Sequence, residues 1–257
     1  MIIIKSPREI ELMREAGYLL SHVFDQLAPL VRPGVSTAFL AKKAKEFIEA
    51  GGGICAEEGY EGFPGIICIS LNETLIHGIP SEKRILRDGD LVSLDIVVTK
   101  NGYNADACRS YVVGIGKPEA IRLLQVTEEC FWDAVSKVRE GVHLGDVSHA
   151  IQAKAEANGY SVAREFTGHG IGREMHEDPY VPCYGTEGTG PILREGMTIA
   201  IEPMILSGSN RLRILGDGWQ VVPRDGKLSC HYENTIVVTK DGYEVLTIDP
   251  KKGVTSA

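Results

Sequence analysis

Two stretches of this chain match each other at a fixed spacing, and that repeat limits the fold more than any other feature. RPGVSTAFLAKKAKEFIEAGG begins at Arg32, and REGVHLGDVSHAIQAKAEANG begins 107 residues later at Arg139. Each reads Arg-x-Gly-Val, then a helical pattern, then a glycine, Gly52 or Gly159. A second pair, RDGDLVSLDIV from Arg87 and REGMTIAIEPM from Arg194, keeps the same 107-residue offset. Common helix–strand units that merely look alike would not share a register. The chain therefore reads as two related halves, about 30–115 and 137–240, each a helix followed by strands. No Pro/Ser-rich linker divides them, so a single domain over 1–257 is expected. Ahead of the repeat, residues 6–27 read as a helix. Ser6 suits the cap, Pro7 the first helical position and Glu9 a capping box, with Ile10, Met13, Leu20, Phe24 and Leu27 near one face.

The offset also aligns two acids, Asp95 and Glu202, each inside an otherwise apolar strand, LVSLDIVV and MTIAIEPM. An ionised carboxylate in a buried strand is costly unless paired or bound to metal. One such residue is most simply a hydrogen-bonding group of the core. Two at equivalent repeat positions point to a site between the halves. Asn101-Gly102 is a type I′ hairpin signal that pairs Lys100 with Tyr103 and, further out, Val97 with Asp106. Asp95 and Asp106 then become diagonal neighbours on one face, roughly 7–8 Å apart at the backbone. Carboxylates that close repel or share a proton unless cations lie between them. The second half offers Glu202 and, in SCHYENTIVVT, Glu233. The turns between them, Asp217-Gly218 and Asp225-Gly226, leave that register open. Four carboxylates suit two divalent cations with shared ligands and an activated water. A single imidazole from His169 added to so much oxygen favours Mn, Fe, Co or Zn over a thiolate zinc site.

GHGIGREMHEDP, residues 168–179, carries His169 and His176 in a glycine-rich run. It is neither a dinucleotide fingerprint nor H-E-x-x-H, and by itself it leaves open whether the two histidines share a metal, divide two roles or are ordinary loop residues. The chain has 257 residues, 43% of them hydrophobic, and a net charge of −8. That is enough for a large core and argues against autonomous nucleic-acid binding. The six cysteines are scattered without a C-x-x-C pair, which fits free thiols in a reducing compartment. No signal-peptide core and no membrane-length apolar run is present. A cytoplasmic protein without membrane attachment is expected.

With DIVVTKNGYNADACRSY, TGHGIGREMHE, AIEPM, HYENT and NETLIHGIP in view, the sequence resembles the type I methionine aminopeptidases in their bacterial short form, over nearly its whole length. The resemblance implies a pita-bread fold of the α+β class: a pseudo-twofold pair of helix–strand halves with antiparallel sheet inside and helices outside. It implies a five-ligand dimetal set. Asp95 would bind one ion, His169 and Glu202 the other, with Asp106 and Glu233 bridging. Glu202 would also accept the proton of the attacking water, His176 would hydrogen-bond the scissile carbonyl oxygen, and His77 would contact the peptide nitrogen. The substrate's α-amine would sit on a metal, confining cleavage to N-termini. Tyr60, Phe63, Cys68 and Trp219 would form the methionine pocket, with Met175 in its wall. Substrates would be peptides and nascent chains beginning with Met and a small second residue, met by a monomer in transient contact with the ribosome.

Met175 stands where the family often has an aromatic, Glu57 where some relatives have cysteine, and Asn234 where relatives often have histidine. The first two bear on pocket shape; Asn234 is assigned no role. His231 lies on the strand face of Glu233 but is expected to support a ligand from behind or to face solvent, since the ligand set is full. His22, His143 and His149 read as surface or packing residues, and Cys68 as an apolar pocket residue with no base nearby. Two alternatives remain: an X-Pro peptidase of the same fold, whose members usually carry a further N-terminal domain, and a metal-free pita-bread binding protein, whose members have lost ligands.

Overall fold

The computed structural model describes residues 1–249; residues 250–257 of the expected domain lie outside them. The first helix, α1 (Pro7–Leu27), starts where its cap predicts. The Ser6 side chain accepts from the Glu9 N–H, and the Glu9 carboxylate accepts from the Ser6 N–H at 2.8 Å. Its buried face holds Met13, Leu20, Phe24 and Leu27, while Ile10 is half-buried. Helices α2 (Thr37–Ala50) and α4 (Leu144–Ala157) begin and end at the same 107-residue offset, with α3 (Pro118–Val135) before α4. The correspondence reaches single hydrogen bonds. Gly34 donates to the Leu86 carbonyl at 2.9 Å, and Gly141 donates to the Leu193 carbonyl at 2.9 Å. The bridges Ser36–Ile85 and His143–Ile192 match likewise.

Nine strands form one antiparallel sheet: β1 (Ile54–Cys55), β2 (Cys68–Leu71), β3 (Leu91–Lys100), β4 (Tyr103–Val112), β5 (Thr167–Gly170), β6 (Glu177–Pro182), β7 (Thr198–Ile201), β8 (Glu233–Val238) and β9 (Tyr243–Val245). Their order is β1-β3-β4-β8-β7-β5-β6, with β2 sharing the β3 edge with β1 and β9 pairing β8. The seam between the halves is the β4–β8 contact. Helices α1 and α2 share a core with β3 and β4 through Leu20, Val23, Leu40, Ile48, Val92 and Leu94. Helices α3 and α4 share another with β7 and β8 through Leu123, Phe131, Val147, Ile151, Ile199 and Ile236. This is the expected α+β arrangement, strands inside and helices outside. Among the described residues no helix is long and apolar enough to cross a membrane.

Arg109 locks the seam from the face away from the acids. It donates to the Cys108 and Glu233 carbonyls at 2.9 and 2.7 Å and to Asn234 Oδ1 at 2.6 Å, between the Phe24 and Tyr232 rings. Asn234, the departure without an assigned role, is thus a partner of this clamp and also accepts from the Thr247 hydroxyl at 2.8 Å.

Candidate active site

Strand register brings the five candidate ligands to one face. Asn101 and Gly102 both have left-handed φ, 52° and 79°, as a type I′ turn requires. The ladder then pairs Lys100 with Tyr103, Val97 with Asp106 and Asp95 with Cys108. Cys108 is in turn opposite Glu233 on β8, and the next strand pairs Asn234 with Ile201. One further step of that register sets Glu202 opposite Glu233. Asp95, Cys108, Glu233 and Glu202 therefore form a row across four chain segments. Asp106 lies diagonal to that row on β4, and His169, paired with Ala200, lies diagonal to Glu202.

His169 Nε2 is 3.5 Å from Asp106 Oδ2 and 3.9 Å from Glu202 Oε1. Its Nδ1 lies 2.8 Å from the Gly170 carbonyl, which can only accept. Nδ1 therefore carries the hydrogen, and in the neutral ring Nε2 keeps its lone pair toward the carboxylates, the tautomer of a metal ligand. The glycines of this run allow close backbone packing. A Cβ at Gly170 would stand 2.0 Å from the Asp178 carbonyl oxygen, and one at Gly168 would stand 2.4 Å from that of Ala200.

Burial disfavours the ionised form of Asp95 and Glu233. Asp95 is pushed up to about 7, chiefly by burial. Glu233 is held well above the usual range by burial and then by Asp106. Asp106 Oδ1, Glu233 Oε1 and both His231 ring nitrogens are buried without a hydrogen-bond partner. Unsatisfied acceptors crowded together with a free imidazole nitrogen are what cations would resolve. Asp106, His169 and Glu233 place one donor atom each within 4.8 Å of one another. The donor set fits divalent metal.

All twelve expected site residues line one cavity of about 240 Å³. Phe63 and Trp219 meet edge to face at 5.2 Å, and the His77 ring lies 6.2 Å from Trp219. Cys68 and Met175 are buried in the wall, and burial holds the Cys68 thiol well above its usual value, so it is an apolar lining group. His77 sits at a left-handed φ of 58°, set by the bridge of Ile76 to Val221 and the Ile69 N–H bond to the Gly78 carbonyl at 2.8 Å. His176 is at the mouth. Partial desolvation and then His169 lower its basicity, and its Nδ1 is 3.0 Å from the Tyr60 hydroxyl. Tyr60 thus touches a site histidine besides lining the pocket.

Sequence reasoning missed Phe166, whose ring stands edge-on to His77 at 6.0 Å, and Ile76 in the wall. Each adjoins a motif residue in sequence, which was the available signal. Glu57 is a buried carboxylate taking the Cys68 N–H at 3.1 Å and the Val97 N–H at 3.2 Å, in the gap between β1 and β2. Of the two places expected for His231, the structure takes the one beside a ligand, with Nε2 3.4 Å from Glu202 Oε2. The residue is 2% exposed and does not face solvent, because the chain at Ser229–His231 pairs with Met204–Leu206 beneath the acids.

Residues 11–240 match the model for metallopeptidase family M24. The methionine aminopeptidase of Clostridium perfringens is 48% identical over 96% of this chain and 99% of that protein. The crystal structure of methionine aminopeptidase from Rickettsia prowazekii superposes with a TM-score of 0.95 at 42% identity, covering 96% of this chain and all of that one. An Xaa-Pro dipeptidase from Bacillus anthracis shares the fold at a TM-score of 0.77 and 24% identity, with only 62% of its length covered. The metallopeptidase family and the donor cluster together imply divalent-metal binding. Matched nearly end to end in sequence and in shape, this chain belongs to the methionine aminopeptidases of metallopeptidase family M24.

Proposed function

We propose that the chain is a dimetal-dependent hydrolase removing initiator methionine from new proteins and peptides, with residues 1–257 acting as one catalytic domain. The observation that carries this reading is one sheet face of four carboxylates and His169 opening into an apolar, sulfur-lined pocket. Asp95 would hold one ion, His169 and Glu202 the other, and Asp106 and Glu233 both. Divalent ions there, Mn, Fe, Co or Zn, would supply Lewis acidity for attack of water on the scissile carbonyl.

The remaining work falls to side chains. Glu202 accepts the proton of the attacking water. With the Tyr60 hydroxyl as donor to His176 Nδ1, 3.0 Å away, hydrogen would stay on Nε2, and Nε2–H would donate to the carbonyl oxygen as negative charge grows there. His77, held neutral by burial, contacts the peptide nitrogen. Tyr60, Phe63, Cys68, Met175 and Trp219 take the thioether chain. A small second residue is expected of the substrate. Such substrates would place a monomeric enzyme in the cytoplasm, in passing contact with the ribosome.

Tyr60→Phe removes the hydroxyl that fixes the His176 tautomer while keeping the ring. It is expected to lower kcat about tenfold with KM for a Met-Ala peptide changed less than threefold. Steady-state kinetics decide it; an unchanged kcat rejects the positioning role. The function is tested by incubating purified protein with Mn²⁺ or Co²⁺ and Met-Ala-led or Ala-Pro-led peptides. Release of free methionine is expected, and preference for the Ala-Pro bond would overturn the reading. The unsatisfied buried donors disfavour a metal-free binding protein.

A further inference from the structure

His231 has no place in the five-ligand set, yet it sits among those ligands. Both ring nitrogens are buried without a hydrogen-bond partner and have carboxylates beside them, and a buried imidazole so placed needs an explanation. Nε2 is 3.4 Å from Glu202 Oε2 and 3.7 Å from Glu233 Oε2, and Nδ1 is 4.0 Å from Asp95 Oδ2. Two donor atoms that bind one ion at about 2.0–2.2 Å lie no more than about 4.4 Å apart. His231 meets that limit against two acids. His169 does so with similar spacings, 3.5 and 3.9 Å.

We propose that His231 is a sixth protein ligand, giving through Nε2 a second imidazole to the ion shared by Glu202 and Glu233. This rests on the metallopeptidase reading above. Its ring is held from the backbone. The His231 carbonyl accepts from the Ser110 hydroxyl at 2.6 Å and the Cys108 thiol at 3.5 Å. The thiol is thereby engaged, which leaves the imidazole as the uncommitted donor on that side. Asp95 Oδ2 stands 4.0 Å from Nδ1, on the side where a ligating histidine takes a supporting carboxylate. His169 flanks Glu202 at Oε1, and His231 flanks it at Oε2. A second nitrogen donor moves the centre's preference from Mn toward Co and Zn.

Zinc K-edge X-ray absorption on the full chain loaded with two zinc ions counts the imidazoles. One per zinc is expected in the unmodified protein, falling to half that in His231→Gln. Zinc affinity, measured by competition with a chromophoric chelator, is expected to fall at least tenfold in the variant, with manganese affinity changing less. The count on the unmodified protein stands even if the variant misfolds. Half an imidazole per zinc in a protein that binds zinc and releases methionine overturns this inference alone. Failure to bind any divalent ion overturns the metallopeptidase reading as well.

Discussion

Glu202→Gln is expected to slow methionine release by about 10²–10⁴-fold, the usual contribution of a positioned general base. Glu202 leaves the end of β7 opposite Glu233, with one carboxylate oxygen toward His169 and the other toward His231. Glutamine fills the same space and keeps a carbonyl oxygen for an ion, but it cannot take a proton from water. The variant's metal content separates the two duties. A rate loss with metal retained marks proton acceptance, and a rate loss with metal released marks ligation. Release at the unmodified rate with full metal would remove Glu202 from the mechanism.

How far the site could be read from sequence depended on turn chemistry. Asn101-Gly102 dictates a two-residue loop, so the distances along β3 and β4 to Asp95 and Asp106 followed by counting. No such turn links Glu202 to Glu233. Between them the chain leaves the main sheet, pairing Leu212–Ile214 with Val221–Pro223 and Met204–Leu206 with Ser229–His231. The turns at Asp217 and Asp225 belong to that excursion, and counting through them fails. The same excursion buries His231. A period-two face assigned the residue to the right side of its strand, but it could not say that a second small sheet closes over that side.

Residues whose task depends on a distant partner were equally illegible. Tyr60 could be assigned to a pocket through the family resemblance, but its hydroxyl contact with His176 spans 116 positions. Glu57, flagged only as a departure, serves backbone N–H groups on two strands that no local pattern connects to it. The repeat was the opposite case. It sets helix ends, bridges and single hydrogen bonds at one offset, because the same local sequence makes the same local structure twice.

Removing metal is expected to destabilise the protein, and to do so more at pH 8.5 than at pH 6. In the metal-free chain Asp95 is raised to about 7, chiefly by burial. An acid raised on folding contributes stability that is complete below its unfolded value and is lost as pH climbs through the folded one. For His169 burial acts downward, but Asp106 outweighs it and raises the ring to about 9. A raised histidine likewise loses its contribution as pH rises through the folded value. Both groups therefore make the metal-free protein weaker as pH climbs from 6 to 9. Metal binding needs those same ligands deprotonated, so its affinity rises with pH. At 100 times Kd a bound ion adds about 2.7 kcal/mol, or roughly 5–10 °C. Thermal melts with excess Mn²⁺ or with chelator, at pH 6 and pH 8.5, should therefore diverge as pH rises. A constant gap, or a chelated protein that gains stability toward pH 8.5, would mean that the carboxylates and His169 are not held together by the charge of bound metal.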